Sequence, residues 1–227
     1  MGYFSYLLFM LPALVISMLA QASVQSTFHK YSGIRNIRGL NGREAAARVL
    51  SFYGVTGVVI EPVAGKLNDH YDPRTNVIRL SDPVCYVDSV AAVGVAAHEA
   101  GHAAQYAAHY APIRWRAALV PVTQIGSNLS MPVLLIGYFF QYRALILAGI
   151  ILYSFSVLFS LVTLPVELNA SARAVAALRD SGALYGEELE GAQRVLRAAA
   201  MTYLAATFTA LWSLLRLLLI FGNRRQR

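Results

Sequence analysis

Residues 96–104 read Ala96-Ala97-His98-Glu99-Ala100-Gly101-His102-Ala103-Ala104. His98 and His102 are four residues apart, and side chains at this spacing lie on the same face of a helix, about 5–6 Å apart at Cβ. Two neutral imidazoles in this arrangement can bind one Zn²⁺, and Glu99, one position further round, can act as a base toward a water molecule. The stretch therefore predicts a metal-binding helix.

The residues around this motif favour one continuous helix. Asp88-Ser89 supplies an N-cap, and residues 90–107 are mostly small and apolar and contain no proline. Gly101 costs about 1 kcal/mol relative to alanine inside a helix, so its presence indicates that another backbone packs closely beside the motif. A buried histidine pair without a metal is the alternative interpretation.

Composition indicates a membrane protein. The chain has 227 residues, of which 57% are hydrophobic, and its mean hydropathy of +0.50 is too high for an ordinary soluble domain. Its single cysteine, Cys85, excludes an intrachain disulfide and a cysteine-rich zinc site, which leaves histidine and carboxylate as ligands. The net charge is +7, but the basic residues are spread along the chain without a nucleic-acid-binding motif. We interpret them as contacts to anionic lipid headgroups and as topology signals, and expect no nucleic-acid partner.

Long uncharged segments predict four transmembrane helices. We expect the first at 3–24, a hairpin of two helices at 117–164 and the last at 199–221. A cleavable signal peptide is the alternative for the first segment, since Ala20-Gln21-Ala22 resembles a cleavage site, although no basic residue precedes it. The first arm of the hairpin carries Pro121, Gln124, Asn128 and Pro132. We therefore expect this arm to face protein or a wet cleft rather than lipid.

The two polar segments between these spans are expected to hold the site. Residues 25–116 would contain a packing helix that begins at the capping box Asn41–Glu44, a small antiparallel sheet made of 56–62 and 76–80, and the motif helix. An exposed edge strand of that sheet would let an extended peptide add as another strand. Residues 165–198 would contain a polar helix that begins at Pro165 and ends near Asp180, followed by a charged, exposed helix.

A catalytic zinc site needs a third protein ligand. Glu167 is the best candidate, because it directly follows the hairpin, which returns the chain to the side of the membrane where His102 lies. The alternative is a glutamate that is favoured at the start of a helix by the helix dipole. No other carboxylate combines this position with this topology.

These motifs resemble a known family over nearly the whole chain. The segments that carry the resemblance are His98-Glu99-Ala100-Gly101-His102-Ala103, Asp69-His70-Tyr71-Asp72-Pro73-Arg74, Arg79-Leu80-Ser81 and Pro165-Val166-Glu167-Leu168-Asn169-Ala170-Ser171-Ala172-Arg173-Ala174. They look like the YugP-like family of small bacterial membrane zinc metallopeptidases. The resemblance implies a gluzincin-like site in which Glu167 is the third ligand. Ser171 stands where many gluzincins carry an aspartate, so the outer hydrogen-bond partner of a ligand would be a hydroxyl here.

The predicted fold is a mainly α membrane protein with about four transmembrane helices and a small zincin-like α+β metallopeptidase domain at the membrane surface, with residues 1–227 forming one domain. We expect a zinc metalloendopeptidase that holds one Zn²⁺ per chain and acts on membrane or membrane-associated polypeptides. Glu99 is the expected base, and His70, Tyr71 and Arg173 are candidate donors to the oxyanion. Two alternatives stay open: an intramembrane protease, and a non-catalytic scaffold stabilised by zinc. The presence of Glu99 favours catalysis, because structural zinc sites have four protein ligands and need no base.

Basic residues predict which side of the cell membrane carries the site. Fourteen of the 19 Lys and Arg residues lie within 30–116 and 173–197, which by the positive-inside rule puts these segments in the cytoplasm. Arg224, Arg225 and Arg227 would then lie outside, against the rule. No feature of the sequence predicts an oligomeric state.

Overall fold

The computed structural model describes residues 3–66 and 68–222 and is mainly helical. The described residues form α1 (Tyr3–Ser32), α2 (Gly42–Phe52), β1 (Val59–Val63), β2 (His70–Asp72), β3 (Val77–Ser81), α3 (Asp82–Cys85), α4 (Val90–Ala107), α5 (Ala111–Phe139), α6 (Arg143–Asp180) and α7 (Gly186–Gly222). Among them, α1, α5, α6 and α7 are long and apolar enough to cross a membrane. The structure thus contains the four long apolar helices that the sequence predicts.

The chain divides into two compact units. The first unit consists of the described parts of Met1–Leu19, Pro112–Pro165 and Thr202–Arg227. Within it, α5 packs closely on α6 where glycine leaves room. A Cβ built on Gly126 would lie 2.8 Å from the carbonyl oxygen of Leu152, and one on Gly137 would lie 2.7 Å from the backbone nitrogen of Ile146. Small residues at such contacts are typical of helix association in lipid.

The second unit consists of Ala20–Ala111 and Val166–Met201, and its hydrophobic core surrounds α4. This helix is buried over most of its length, because nearly all its residues are small and apolar. Its N-cap is formed as predicted, with Ala92 N donating a hydrogen bond to Ser89 Oγ at 3.1 Å. The predicted capping box of α2 is also present, between Asn41 and Glu44.

The sheet is mixed, with strand order β1-β3-β2, so the prediction of an antiparallel sheet is wrong. β1 and β3 lie in the two predicted runs but pair in parallel, with Val59 opposite Val77 and Val63 opposite Ser81. β2 lies between the two predicted runs, where no strand was predicted, and it pairs antiparallel with β3. Because β2 lies between them in sequence, the chain reverses direction twice and β3 runs the same way as β1. The turn-forming residues around β2 concealed this three-residue strand.

α6 runs without interruption from Arg143 to Asp180, so the prediction that a separate helix begins at Pro165 is wrong. A proline inside a helix removes one backbone donor, but the turns on either side keep their hydrogen bonds and the helix can continue. α7 is also one helix, and its first part is not wholly exposed, since Ala192 and Leu196 are buried in the core. The first part of α7 is partly buried because this charged segment also carries an apolar face, which packs into the core.

Gly101 lets α4 pack directly against the backbone of α6. A Cβ built on Gly101 would lie 2.5 Å from the carbonyl oxygen of Ala170, closer than real Cβ contacts come. The close backbone packing predicted from this glycine is therefore confirmed. It brings the motif helix against the part of α6 that follows Pro165.

Replacing Gly101 with alanine should force α4 and α6 apart, because the obstructing atom belongs to the backbone and cannot rotate away. Overpacking of this kind costs about 1–3 kcal/mol, so Gly101→Ala should lower the melting temperature of the purified protein in detergent by several degrees. Gly94→Ala is the matched control, since a Cβ there would lie 3.5 Å from the Cβ of Ala192, an ordinary contact. Equal melting temperatures for the two variants would contradict the backbone contact.

Candidate metal centre

Three side chains that could hold a metal ion converge in the second unit. His98 and His102 come from α4 and Glu167 from α6, and one ligand atom of each lies within 4.8 Å of the others. Oε2 of Glu167 lies 3.2 Å from Nε2 of His98 and 3.5 Å from Nε2 of His102. The three residues predicted as ligands are therefore brought together by the packing of α4 on α6.

The two separations from Glu167 fit a zinc ion. Ligand atoms placed tetrahedrally at about 2.0–2.1 Å from Zn²⁺ lie about 3.3–3.4 Å from one another. Two imidazoles and one carboxylate are also a donor set found in catalytic zinc sites, where the fourth position stays open. The Glu167 side chain is 3% exposed and that of His98 is 14% exposed, so the centre is enclosed on the Glu167 side and more accessible at His98.

The other ring nitrogen of His102 is held by Gln105, a residue that the sequence reasoning missed. Gln105 is fully buried, and its Oε1 lies 3.0 Å from Nδ1 of His102. Its Nε2 donates to the carbonyl of Val166 at 2.8 Å and to Oδ1 of Asn169 at 3.0 Å. Because both donors of the amide are thereby used, Oε1 accepts the Nδ1 proton of His102. In the neutral form of the ring, Nε2 of His102 is then the nitrogen without a proton, and it is directed toward Glu167.

Ser171 makes the corresponding contact to His98. Its Oγ lies 3.1 Å from Nδ1 of His98, where a hydroxyl can accept the ring proton. Nε2 of His98 is then available on the side of Glu167. The one signal in the sequence for Gln105 was a polar residue outside the motif, three positions after His102, on a helix of mostly small and apolar residues. No spacing rule linked it to α6.

Glu99 follows His98 in α4, lies close enough to His102 for its charge to act on that ring, and contacts the sheet. It is 9% exposed, and its Oε2 accepts a hydrogen bond from the backbone N–H of Tyr71 at 3.0 Å. Tyr71 is the middle residue of β2, which is an edge strand. Asp69 anchors the start of this strand, because its carboxylate accepts hydrogen bonds from N and Oγ of Ser81 at the end of β3. The edge strand thus orients the carboxylate of Glu99.

The three candidate oxyanion donors occupy different surroundings. His70 is exposed, and its Nδ1 lies 2.7 Å from the carbonyl of Asn68. The hydroxyl of Tyr71 donates to Oδ1 of Asn76 at 2.7 Å. Arg173 donates from Nε to Oδ1 of Asn169 at 3.0 Å, which connects it through Gln105 to His102. Their part in catalysis stays a prediction.

The electrostatics of the site favour a cation. Burial by itself would lower the pKa of His102. The hydrogen bond to Glu167, the negative charges of Glu99 and Glu167, and the hydrogen bond to Gln105 outweigh burial and hold the pKa of His102 above its ordinary value. Carboxylates that attract a proton to this histidine will also attract a divalent cation, which would compete with that proton.

Comparison with known proteins agrees with this geometry. Residues 6–222 match the family described as "Putative neutral zinc metallopeptidase". The chain is also 44% identical over 213 residues to a protein of Bacillus subtilis (strain 168) named "Putative membrane protease YugP", a match that covers 94% of this chain and 95% of that protein. No solved structure gives a significant match. With His98, His102 and Glu167 gathered into one potential metal centre, the chain belongs to this YugP-like family of zinc metallopeptidases.

Proposed function

We propose that this chain, acting over its whole length as one membrane-bound domain, is a zinc endopeptidase that hydrolyses peptide bonds of membrane or membrane-associated proteins. The observation that carries the proposal is the convergence of His98, His102 and Glu167 with Glu99 beside them. The four long apolar helices and the name of the Bacillus subtilis relative support the membrane part of it.

His98, His102 and Glu167 would hold the zinc ion. When bound, zinc supplies Lewis acidity, which lowers the pKa of a water molecule in the open position toward about 7 and stabilises negative charge on the substrate carbonyl oxygen. The protein contributes the orientation of the ligands: Gln105 and Ser171 accept the Nδ1 protons of the two histidines, so that both Nε2 atoms are available as donors.

Glu99 moves the proton in this mechanism. Its carboxylate, oriented by the N–H of Tyr71, takes a proton from the attacking water while the water oxygen forms a bond to the scissile carbonyl carbon. The bond between that carbon and the amide nitrogen then breaks, and Glu99 gives the proton to the leaving amine. His70, Tyr71 and Arg173 are the residues we propose as further donors to the oxyanion.

An extended polypeptide is the substrate form that suits the site. β2 is an edge strand next to Glu99, and a peptide can add to such an edge through main-chain hydrogen bonds that do not depend on its sequence. Glu167 lies three residues after the end of the hairpin expected at 117–164, which supports a site at the membrane surface. Such a site suits segments that emerge from the bilayer.

The ligand and base assignments can be separated by variants. Glu99→Gln should retain zinc but lose activity by about 10²–10⁴-fold, because proton transfer is removed and no ligand is changed. His102→Ala and Glu167→Ala should lose both zinc and activity. Glu190→Ala is the control, since this exposed residue pairs with Arg194 on α7 and should change neither. Zinc content and cleavage of a membrane-protein substrate are measured together. Full activity of Glu99→Gln would indicate another base, whereas a wild-type protein that binds zinc but cleaves no peptide would favour the zinc-stabilised scaffold.

Gln105 should act as a positioning residue for His102. Gln105→Leu removes the acceptor for the Nδ1 proton, and the loss of such an outer hydrogen bond to a zinc ligand typically lowers metal affinity by about 10–100-fold. Gln105→Glu keeps an acceptor and should retain more of the affinity. Gln193→Leu, on an open groove of the same unit, is the matched control. The measurement is zinc competition against a chelator, and unchanged affinity of Gln105→Leu would contradict this role.

The orientation of the site is proposed to be cytoplasmic, in line with the distribution of basic residues. Labelling of single cysteines in intact cells, in a Cys85→Ala background, tests it. A reagent that cannot cross the membrane should label Tyr142→Cys, in the exposed turn between α5 and α6, but not Arg74→Cys, in the exposed turn after β2. Labelling of Arg74→Cys alone would reverse the proposed orientation.

A further inference from the structure

α5 has two distinct faces. Gly126 and Ser130 lie on the buried face, which packs against α6 within the first unit. Gln124 and Asn128 are each two residues from Gly126, which corresponds to about 200° of rotation around a helix, so both lie on the opposite face. The face that carries these two amides continues along the helix to Leu135, which is 49% exposed.

Both amide side chains on this face are exposed, and no residue that the structure describes is hydrogen-bonded to either of them. They also lie deep in the apolar segment. The apolar run 117–140 has its midpoint just after Asn128, and Gln124 is one turn away. If α5 crosses the membrane, these two amides are therefore near the middle of the hydrocarbon layer.

Lipid tails cannot hydrogen-bond an amide, so an unpaired amide at this depth is unfavourable. Asn and Gln side chains in membrane helices are accordingly found bonded to another helix. Within the described first unit, the packed face of α5 is already occupied by α6, on the other side of the helix. The face that carries the two amides is therefore open to a partner that the described residues do not supply.

A second copy of the same chain can supply hydrogen-bond partners for the amides on this face. Two copies inserted in the same orientation are related by an axis along the membrane normal, which places identical residues of their α5 helices at the same depth. Every amide carries both a donor and an acceptor, so Asn128 and Gln124 can each pair with the same residue of the other copy. An unrelated apolar helix would need its own polar group at this depth. We propose that the Gln124–Asn128 face of α5 is the contact between two copies of this chain in the membrane.

Cysteine cross-linking in membranes tests the contact without altering the amides. In a Cys85→Ala background, which removes the native cysteine, Leu135→Cys lies on the amide face and Ile136→Cys lies about 100° around the helix. Both positions are 49% exposed, so they are matched in accessibility. Oxidation should cross-link Leu135→Cys into dimers and leave Ile136→Cys monomeric. Equal cross-linking at both positions, no cross-linking at Leu135→Cys, or its cross-linking to a different protein would overturn the proposal.

Removing the amides should weaken the dimer. The combined change Gln124→Leu and Asn128→Leu keeps the helix apolar and should raise the dissociation constant of the dimer by about tenfold or more, measured by energy transfer between labelled copies in vesicles. Ser127→Ala is the control, since Ser127 is exposed about 100° from Asn128 and its hydroxyl bonds the carbonyl of Gln124 within the helix. An unchanged dissociation constant for the double variant would also overturn the proposal.

Discussion

The site depends on the backbone contact between α4 and α6 at Gly101 and Ala170. Only a residue without a Cβ allows this approach, because a Cβ at position 101 would lie 2.5 Å from the Ala170 carbonyl oxygen. Glu167 lies about one turn before Ala170 on α6, and His98 and His102 lie on either side of Gly101 on α4. The helix contact therefore determines how far Oε2 of Glu167 lies from each of the two histidines, and a small shift between the helices would change both of these distances.

The hydrogen bonds of Gln105 constrain how α4 is rotated relative to α6, in addition to the distance between the two helices. Its amide joins His102 on α4 to the carbonyl of Val166, the residue immediately before Glu167. Both histidines have neutral outer partners, the amide of Gln105 and the hydroxyl of Ser171, where many zinc sites use a carboxylate. A neutral partner leaves less negative charge on the imidazole, so a bound zinc ion would keep more of its positive charge for the open position.

β2 connects Glu99, the proposed base, to the strand edge at which we propose that a substrate binds. The strand is short, but its neighbours hold it at both ends: Asp69 is bonded to Ser81, and the carboxylate of Asp72 pairs with Arg79 at 3.5 Å. Glu99 accepts the N–H of Tyr71 between these two points. The carboxylate and the exposed strand edge are thus aligned by one backbone segment, so a peptide bound along that edge would lie next to the base.

The sequence by itself determined the metal motif, the extent of α4, the capping of α2 and the presence of four long apolar helices, because periodicity, capping and hydropathy act within one segment. It selected Glu167 by topology and indicated a close approach at Gly101, but it did not identify the partner backbone. Gln105 could not be recognised, since its role requires a contact with Val166, 61 residues away. The parallel pairing of β1 with β3 and the continuation of α6 through Pro165 were also decided only by the tertiary structure. Strand direction and helix continuity depend on which distant groups satisfy the backbone and bury the side chains, and local sequence does not carry that information.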